Sequence, residues 1–230
     1  MTGYIVLQDI LEHLFKFGNI EKSLLKHIRV GERTTIKNII ENGVKRNVLK
    51  ENDSKIYLLN PLELIIMLEE LGIDTLRLCD YISWSEFEDF IAKKLYEFGW
   101  EYILGYIHTR VSRFQIDVIA LDSILRRALV IECKHWRKHM GVGSLRRIAL
   151  NHLLRIDKLI KYCEWVATDI PKLRNVETVI PAVIVLRRGD VKAVEGVPIV
   201  PLYHLNDFLS NISSYLDVLN IKVFKNRCCI

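Results

Sequence analysis

The sequence predicts an α/β protein: a mixed central sheet flanked by helices, preceded by a small, mainly helical domain. Three observations carry this prediction. Apolar residues recur at helical spacing through the first 75 residues, with one short strand-like run among them. From Ser83 the pattern changes to a helix, three strands, a helix and further strands. The chain has 230 residues, more than the roughly 100–150 of a typical single domain. The expected division is 1–75 and 82–230, with the boundary between Gly72 and Ser83.

In the first domain, Leu7, Ile10, Leu11, Leu14 and Phe17 form a helical stripe that Gly18 stops. A second short helix carries Leu24, Leu25 and Ile28. Thr34 to Asn47 forms a third, with Ile36, Ile39, Ile40 and Val44 on one face and Thr35, Lys37, Asn38, Asn42 and Lys45 on the other. A polar turn, Lys50 to Lys55, leads into a strand, Ile56 to Leu59. Asn60 then caps a further helix, with Pro61 at its first position and Glu63 at its third. This order resembles a winged helix-turn-helix, which implies DNA contacts from Lys37, Asn38 and Lys45, with protein recruitment as the alternative use of a nearly neutral domain.

In the second domain, Ser83 to Phe98 reads as a helix ended by Gly99, and Trp100 to His108, Phe114 to Leu121 and Ala128 to Cys133 read as strands of one sheet. Gly143 to Ala167 reads as one long amphipathic helix. Val179 to Leu186 is a buried strand, followed by a short strand near Ile199 and a helix from Leu205 to Ile212.

Composition narrows the function classes. Half the residues are apolar and 27% are charged, as in ordinary globular chains. No run reaches the roughly 18–20 apolar residues of a membrane span, and the first residues lack a secretory pattern, so a cytoplasmic protein without a membrane partner is expected. The five cysteines form no CxxC pair and are expected to be reduced thiols.

The net charge of +5 is unevenly placed: residues 1–80 carry −1 and residues 81–230 carry +6. Between Ser123 and Ile156, Arg126, Arg127, Lys134, Arg137, Lys138, Arg146, Arg147 and Arg155 surround a single acid, Glu132. A lone carboxylate in a basic stretch points to a polyanionic partner and a metal.

The chemistry is carried by two strands. Phe114-Gln-Ile-Asp117-Val-Ile-Ala120 places a carboxylate among β-branched neighbours, and Leu129-Val-Ile-Glu132-Cys-Lys134 ends in an acid and a base. Alternation puts Glu132 and Lys134 on one side of their strand and Cys133 on the other. Paired as a hairpin through the turn at Asp122 to Arg126, the strands bring Asp117 and Glu132 within reach of one cation. Mg²⁺ is held by one or two carboxylates, and a lysine beside them stabilises charge developing on a phosphate.

Asp117 followed by Glu132-Cys133-Lys134 resembles the split signature of the PD-(D/E)XK nucleases. Phe87-Glu88, Leu95 and Gly99-Trp100 are similar to the first motif of the Mrr-type and archaeal Holliday-junction-resolvase branches. The likeness runs from about Trp84 to Trp165 and continues in strand order to about Ile212. Ile116 stands where the naming proline would be. The resemblance implies a restriction-endonuclease-like fold and Mg²⁺- or Mn²⁺-dependent DNA cleavage in repair, recombination or restriction, and a homodimer. It assigns Asp117, Glu132, Lys134 and Glu88 to catalysis, with Asp117, Glu132 and the Cys133 backbone carbonyl as metal ligands. Periodicity selects Glu88 over Glu86: Glu88 shares the apolar stripe of Ile91, Ala92 and Leu95, where a carboxylate is costly unless paired or metal-bound. The alternative for Glu88 is a capping box with Ser85.

Gln115 lies two residues before Asp117 on the same strand face, and His135 and Trp136 follow the lysine; all three are candidate substrate contacts, Trp136 by stacking on a base. Arg146, Arg147 and Arg155 are expected on backbone phosphates, and His152 is read as an ordinary helix residue. Two alternatives stand beside the endonuclease: a non-cleaving DNA-binding protein with a nuclease-like dimerisation domain, and a nuclease subunit recruited into a larger complex.

Overall fold

The computed structural model describes residues 6–135, 141–186 and 190–228. The chain separates into two compact units, Met1–Ser83 and Trp84–Ile230.

In the first unit, α1 (Leu7–Phe17), β1 (Asn19–Glu21), α2 (Arg33–Lys45), β2 (Leu49–Glu51), β3 (Lys55–Leu58) and α3 (Pro61–Glu70) follow one another. The residues expected to form a second helix make a short 3₁₀ turn, Lys22–His27. The strands form an antiparallel sheet in the order β1-β3-β2. Ile10, Leu11 and Leu14 of α1, Ile36 and Ile39 of α2, and Ile56 of β3 are buried, as the apolar stripes require. Gly18 ends α1 with φ +72°, a left-handed conformation that lets its N–H reach the Leu14 carbonyl at 2.9 Å.

At the start of α3, Asn60 accepts the Glu63 N–H on its side-chain oxygen at 3.2 Å, with Pro61 at the first helical position. Asn60→Ala is therefore expected to cost about 1 kcal/mol. A urea titration should show a lower midpoint with unchanged slope.

The second unit is built on a sheet of seven strands. After α4 (Trp84–Glu97) come β4 (Glu101–His108), β5 (Phe114–Asp122) and β6 (Arg127–Lys134), then α5 (Val142–Lys161), α6 (Cys163–Asp169), β7 (Thr178–Val185), β8 (Lys192–Val194), β9 (Val197–Pro201), α7 (Leu205–Ser210), α8 (Ile212–Val218) and β10 (Phe224–Lys225). The strand order is β4-β5-β6-β7-β9-β8, with β10 added antiparallel to β7. β4, β5 and β6 are antiparallel neighbours, and β6, β7 and β9 are parallel. Such a mixed sheet needs cover on both faces, which explains the near-continuous burial of β5, β6 and β7.

On one face, Ile119, Leu121 and Val130 pack with Ile156, Leu159 and Ile160 of α5, Val166 of α6, and Val176 and Val179. α4 contributes a buried stripe of Phe87, Ile91 and Leu95, each worth about 1.5–3 kcal/mol of burial. The turn between β5 and β6 is set by Asp122, whose carboxylate accepts the Ile124 and Leu125 N–H groups at 3.0 Å each and pairs with Arg127. Among the described residues no helix is long and apolar enough to cross a membrane.

Two further sequence expectations are corrected. The single helix expected over 143–167 is two, because at Tyr162 the backbone leaves the helical region (φ −107°, ψ 21°). The Tyr162 ring stacks on His108, and Cys163 is covalently tied to the carboxyl-terminal segment, so tertiary contacts turn a chain whose periodicity alone would continue. The cysteines are not all reduced: Cys163 and Cys228 form a disulfide across a sequence separation of 65, and Cys79 and Cys133 are buried outside it. Nothing in their spacing distinguishes this pair before the fold brings their Cα atoms to 5.8 Å.

Candidate active site

The site forms where β5 begins and β6 ends. The β5–β6 ladder pairs Val118 with Ile131, so Asp117 and Glu132 stand one step beyond it on neighbouring strands. Asp117 is 8% exposed, and one carboxylate oxygen accepts the Cys133 backbone N–H at 2.8 Å. Burial, followed by the charge of Glu132, pushes its pKa up to about 6.

Glu132 is 3% exposed and holds two cations, Lys134 and Arg155. Burial alone would raise its carboxyl, but hydrogen bonds from Lys134 and Arg155 outweigh burial and hold it below the ordinary glutamate value. One buried acid is thus stabilised as an anion, while its neighbour is left short of positive charge.

Glu88 is half-buried on the first turns of α4 and accepts the Trp84 indole N–H. The side-chain donor atoms of Glu88, Asp117 and Cys133 all lie within 4.8 Å of one another. The thiol of Cys133 thus points toward α4, opposite the Glu132–Lys134 pair, as strand alternation requires. Lys134 extends over the Trp84 ring at 5.4 Å.

Trp84 escapes the sequence reading, yet it binds Glu88 and faces Lys134. Its position four residues before Glu88 on one helix was the available signal. His152, read as ordinary, is fully buried beneath Glu132. Its Nε2–H donates to the Val130 carbonyl at 2.9 Å, so the proton sits on Nε2, and Nδ1 lies 3.9 Å from the Glu132 carboxylate. Burial lowers its pKa to about 4, which keeps the ring neutral.

The other candidates spread outward. Gln115 is exposed at the start of β5, and His135 follows β6 with its ring 6.3 Å from Phe87. Arg155 faces the site with its guanidinium on Glu132. Arg146 pairs with Glu195 at 2.7 Å, and Arg147 is exposed two turns before Arg155. Trp136 lies outside the described residues. In the first unit, Lys37, Asn38 and Lys45 are exposed on α2, with Lys37 3.7 Å from Glu41.

Residues 79–153 match the Mrr_cat family model, described as a restriction endonuclease. The second unit therefore carries a restriction-endonuclease-like domain. Its mixed sheet, flanked by helices, is the architecture that this family implies. The matched segment of the restriction-endonuclease-like domain contains Glu88, Asp117, Glu132, Lys134 and His152 and ends before Arg155. No curated protein matches the chain. Among solved structures, protein VC1899 from Vibrio cholerae aligns over 91% of this chain and 50% of its own, at 11% identity and a TM-score of 0.36. The chain spans about half the length of that protein.

Proposed function

We propose that the chain is a divalent-metal-dependent DNA endonuclease in which Glu88, Asp117 and Glu132 hold the metal and Lys134 serves the hydrolytic step. The observation that carries this reading is the unequal treatment of two adjacent buried carboxylates inside a restriction-endonuclease-like domain. Glu132 is neutralised by two protein cations, whereas Asp117 has one backbone N–H and a raised pKa. A buried carboxylate in that condition is costly unless a cation completes it.

The donor set fits a hard divalent ion. Two carboxylates, Asp117 and Glu88, stand within 4.8 Å of each other and of the Cys133 thiol, and Glu132 on the neighbouring strand is near enough for its charge to raise the Asp117 carboxyl. When bound, Mg²⁺ or Mn²⁺ supplies charge neutralisation at the phosphate and acidifies a water. The protein does the rest by position. The Cys133 N–H fixes the Asp117 carboxylate, and the Trp84 indole fixes Glu88. Glu132 holds the Lys134 ammonium at the strand end, where it orients the attacking water and stabilises charge on the phosphate oxygens.

In the first unit, the succession α1, β1, α2, β2, β3 and the sheet order β1-β3-β2 support a winged-helix-like reading. The exposed face of α2, with Lys37, Asn38 and Lys45, is then the surface offered to the DNA backbone.

The test is cleavage of linear, nicked, flapped, four-way and single-stranded DNA by the full chain in Mg²⁺ or Mn²⁺, with EDTA as control. Cleavage of at least one substrate that EDTA abolishes is expected, and no cleavage of any would overturn the reading. Lys134→Ala is expected to lower kcat by about 10²-fold or more while changing KM little. A rise in KM at constant kcat would make Lys134 a binding residue instead.

A further inference from the structure

We infer that the hairpin loop joining β4 and β5, residues 109–113, is a rigid phosphate-binding rim of the active site, with Arg113 and Lys158 as its DNA contacts. The inference rests on the nuclease reading above and adds a substrate surface to it.

Placement comes first. β4 ends at His108 and β5 begins at Phe114, so this loop lies at the same end of the sheet as Asp117 and Lys134. Arg113 stands four residues before Asp117, about 13 Å along the strand at roughly 3.3 Å per residue. That is about four base steps at roughly 3.4 Å per step, the distance of a flanking phosphate rather than the scissile one.

Charge comes second. On α5, Arg155 reaches Glu132, and Lys158, one turn further, donates to the Arg113 carbonyl at 3.5 Å. Arg155, Lys158 and Arg113 therefore form a continuous basic path from the catalytic centre to the rim. Arg113 is exposed, and no carboxylate pairs with Arg113 or Lys158 among the described residues.

The third observation is the anchoring. Arg110 donates to Thr168 at 2.8 Å and to Asp169 at 2.9 Å. The Tyr106 hydroxyl donates to the other Asp169 oxygen at 3.1 Å, which leaves its oxygen to accept from His108 Nδ1 at 3.2 Å. His108 is 1% exposed, and its Nε2 has no hydrogen-bond partner among the described residues. A polar chain of this kind under a hairpin base costs stability relative to apolar packing and is retained where it fixes a conformation. It ties the loop to the end of α6 so that the basic groups are presented without ordering on binding, which lowers the entropic cost of contact.

The experiment is fluorescence anisotropy of labelled duplex and four-way DNA with the full chain in EDTA, across a salt series. Arg113→Ala and Lys158→Ala are each expected to weaken binding by roughly three- to tenfold and to reduce the slope of log K against log salt by about one. Arg113→Lys should retain most of the affinity, and thermal unfolding of each variant verifies that it is folded. Unchanged affinity and slope in both alanine variants, with wild-type binding intact, would overturn the rim but leave the nuclease reading standing. An absence of wild-type binding to any DNA would overturn both.

Discussion

Asp117→Asn is expected to reduce metal-dependent cleavage by at least about 10³-fold while making the protein more stable at pH 8. The loss follows from removing the carboxylate that borders both Glu88 and Glu132, and 10³-fold corresponds to about 4 kcal/mol of transition-state stabilisation. The gain follows from the raised pKa. In the folded chain Asp117 keeps its proton up to about pH 6, against a reference value of 3.8. A group raised in this way contributes stability that is complete below about pH 4 and is lost as pH rises through 6. At pH 8 the wild type carries the full cost of a buried anion, and the neutral amide does not.

The difference is expected to be roughly 1–3 kcal/mol, from about 1.4 kcal/mol per pKa unit. It should vanish near pH 4. Urea titrations of both proteins at pH 4, 6 and 8 measure it directly. Mg²⁺ should stabilise the wild type at pH 8 and leave the variant almost unchanged, because a ligand stabilises only the state that binds it. If the variant is less stable at pH 8, the Asp117 anion is already compensated by the protein and the case for a missing cation fails.

The second large effect concerns the covalent tie between Cys163 and Cys228. Reducing the bond, or replacing Cys228 by Ser, is expected to lower stability by about 4 kcal/mol, the chain entropy released by opening a loop of this length. For a chain of this size that corresponds to roughly 10–15 °C in Tm. The bond holds the carboxyl-terminal segment against the sheet, where β10 pairs with β7 and the Asn226 amide donates to the Leu173 and Val176 carbonyls at 2.8 and 2.9 Å. Both cysteines are nearly inaccessible, so reduction should be slow under native conditions and complete only with partial opening. Thermal unfolding with and without dithiothreitol checks the bond. Coincident transitions would show that the two thiols are not joined in solution.

The legible parts of this protein are those in which neighbours along the chain decide the outcome. The stripe Phe87, Ile91 and Leu95 announces α4 and its buried face, Asn60-Pro61-Glu63 announces the start of α3, and the β-branched runs around Asp117 and Glu132 announce β5 and β6. Each is a local signal of period 3.6, of period 2 or of a cap, and none depends on distant residues. The two-acid and lysine grouping was legible for the same reason: a tight turn at Asp122 makes the pairing of adjacent strands a short-range matter.

The rest depends on contacts between residues far apart in sequence. The strands β1, β2, β8 and β10 are two or three residues long, too short to display a period, and exist only because a partner strand lies beside them. The break at Tyr162 and the Cys163–Cys228 bond are set by packing across the sheet and a separation of 65 residues. The same holds within the site. Sequence alone named Asp117, Glu132 and Lys134 as a set, but it could not say that Arg155 from α5 would neutralise Glu132 or that Trp84 would hold Glu88. Nor could it say that Asp117 would be the acid left without a cation. Side-chain identity determined the available chemistry. Tertiary structure decided which carboxylate the protein's own cations neutralise, because burial and the placement of cations act through space and not along the chain.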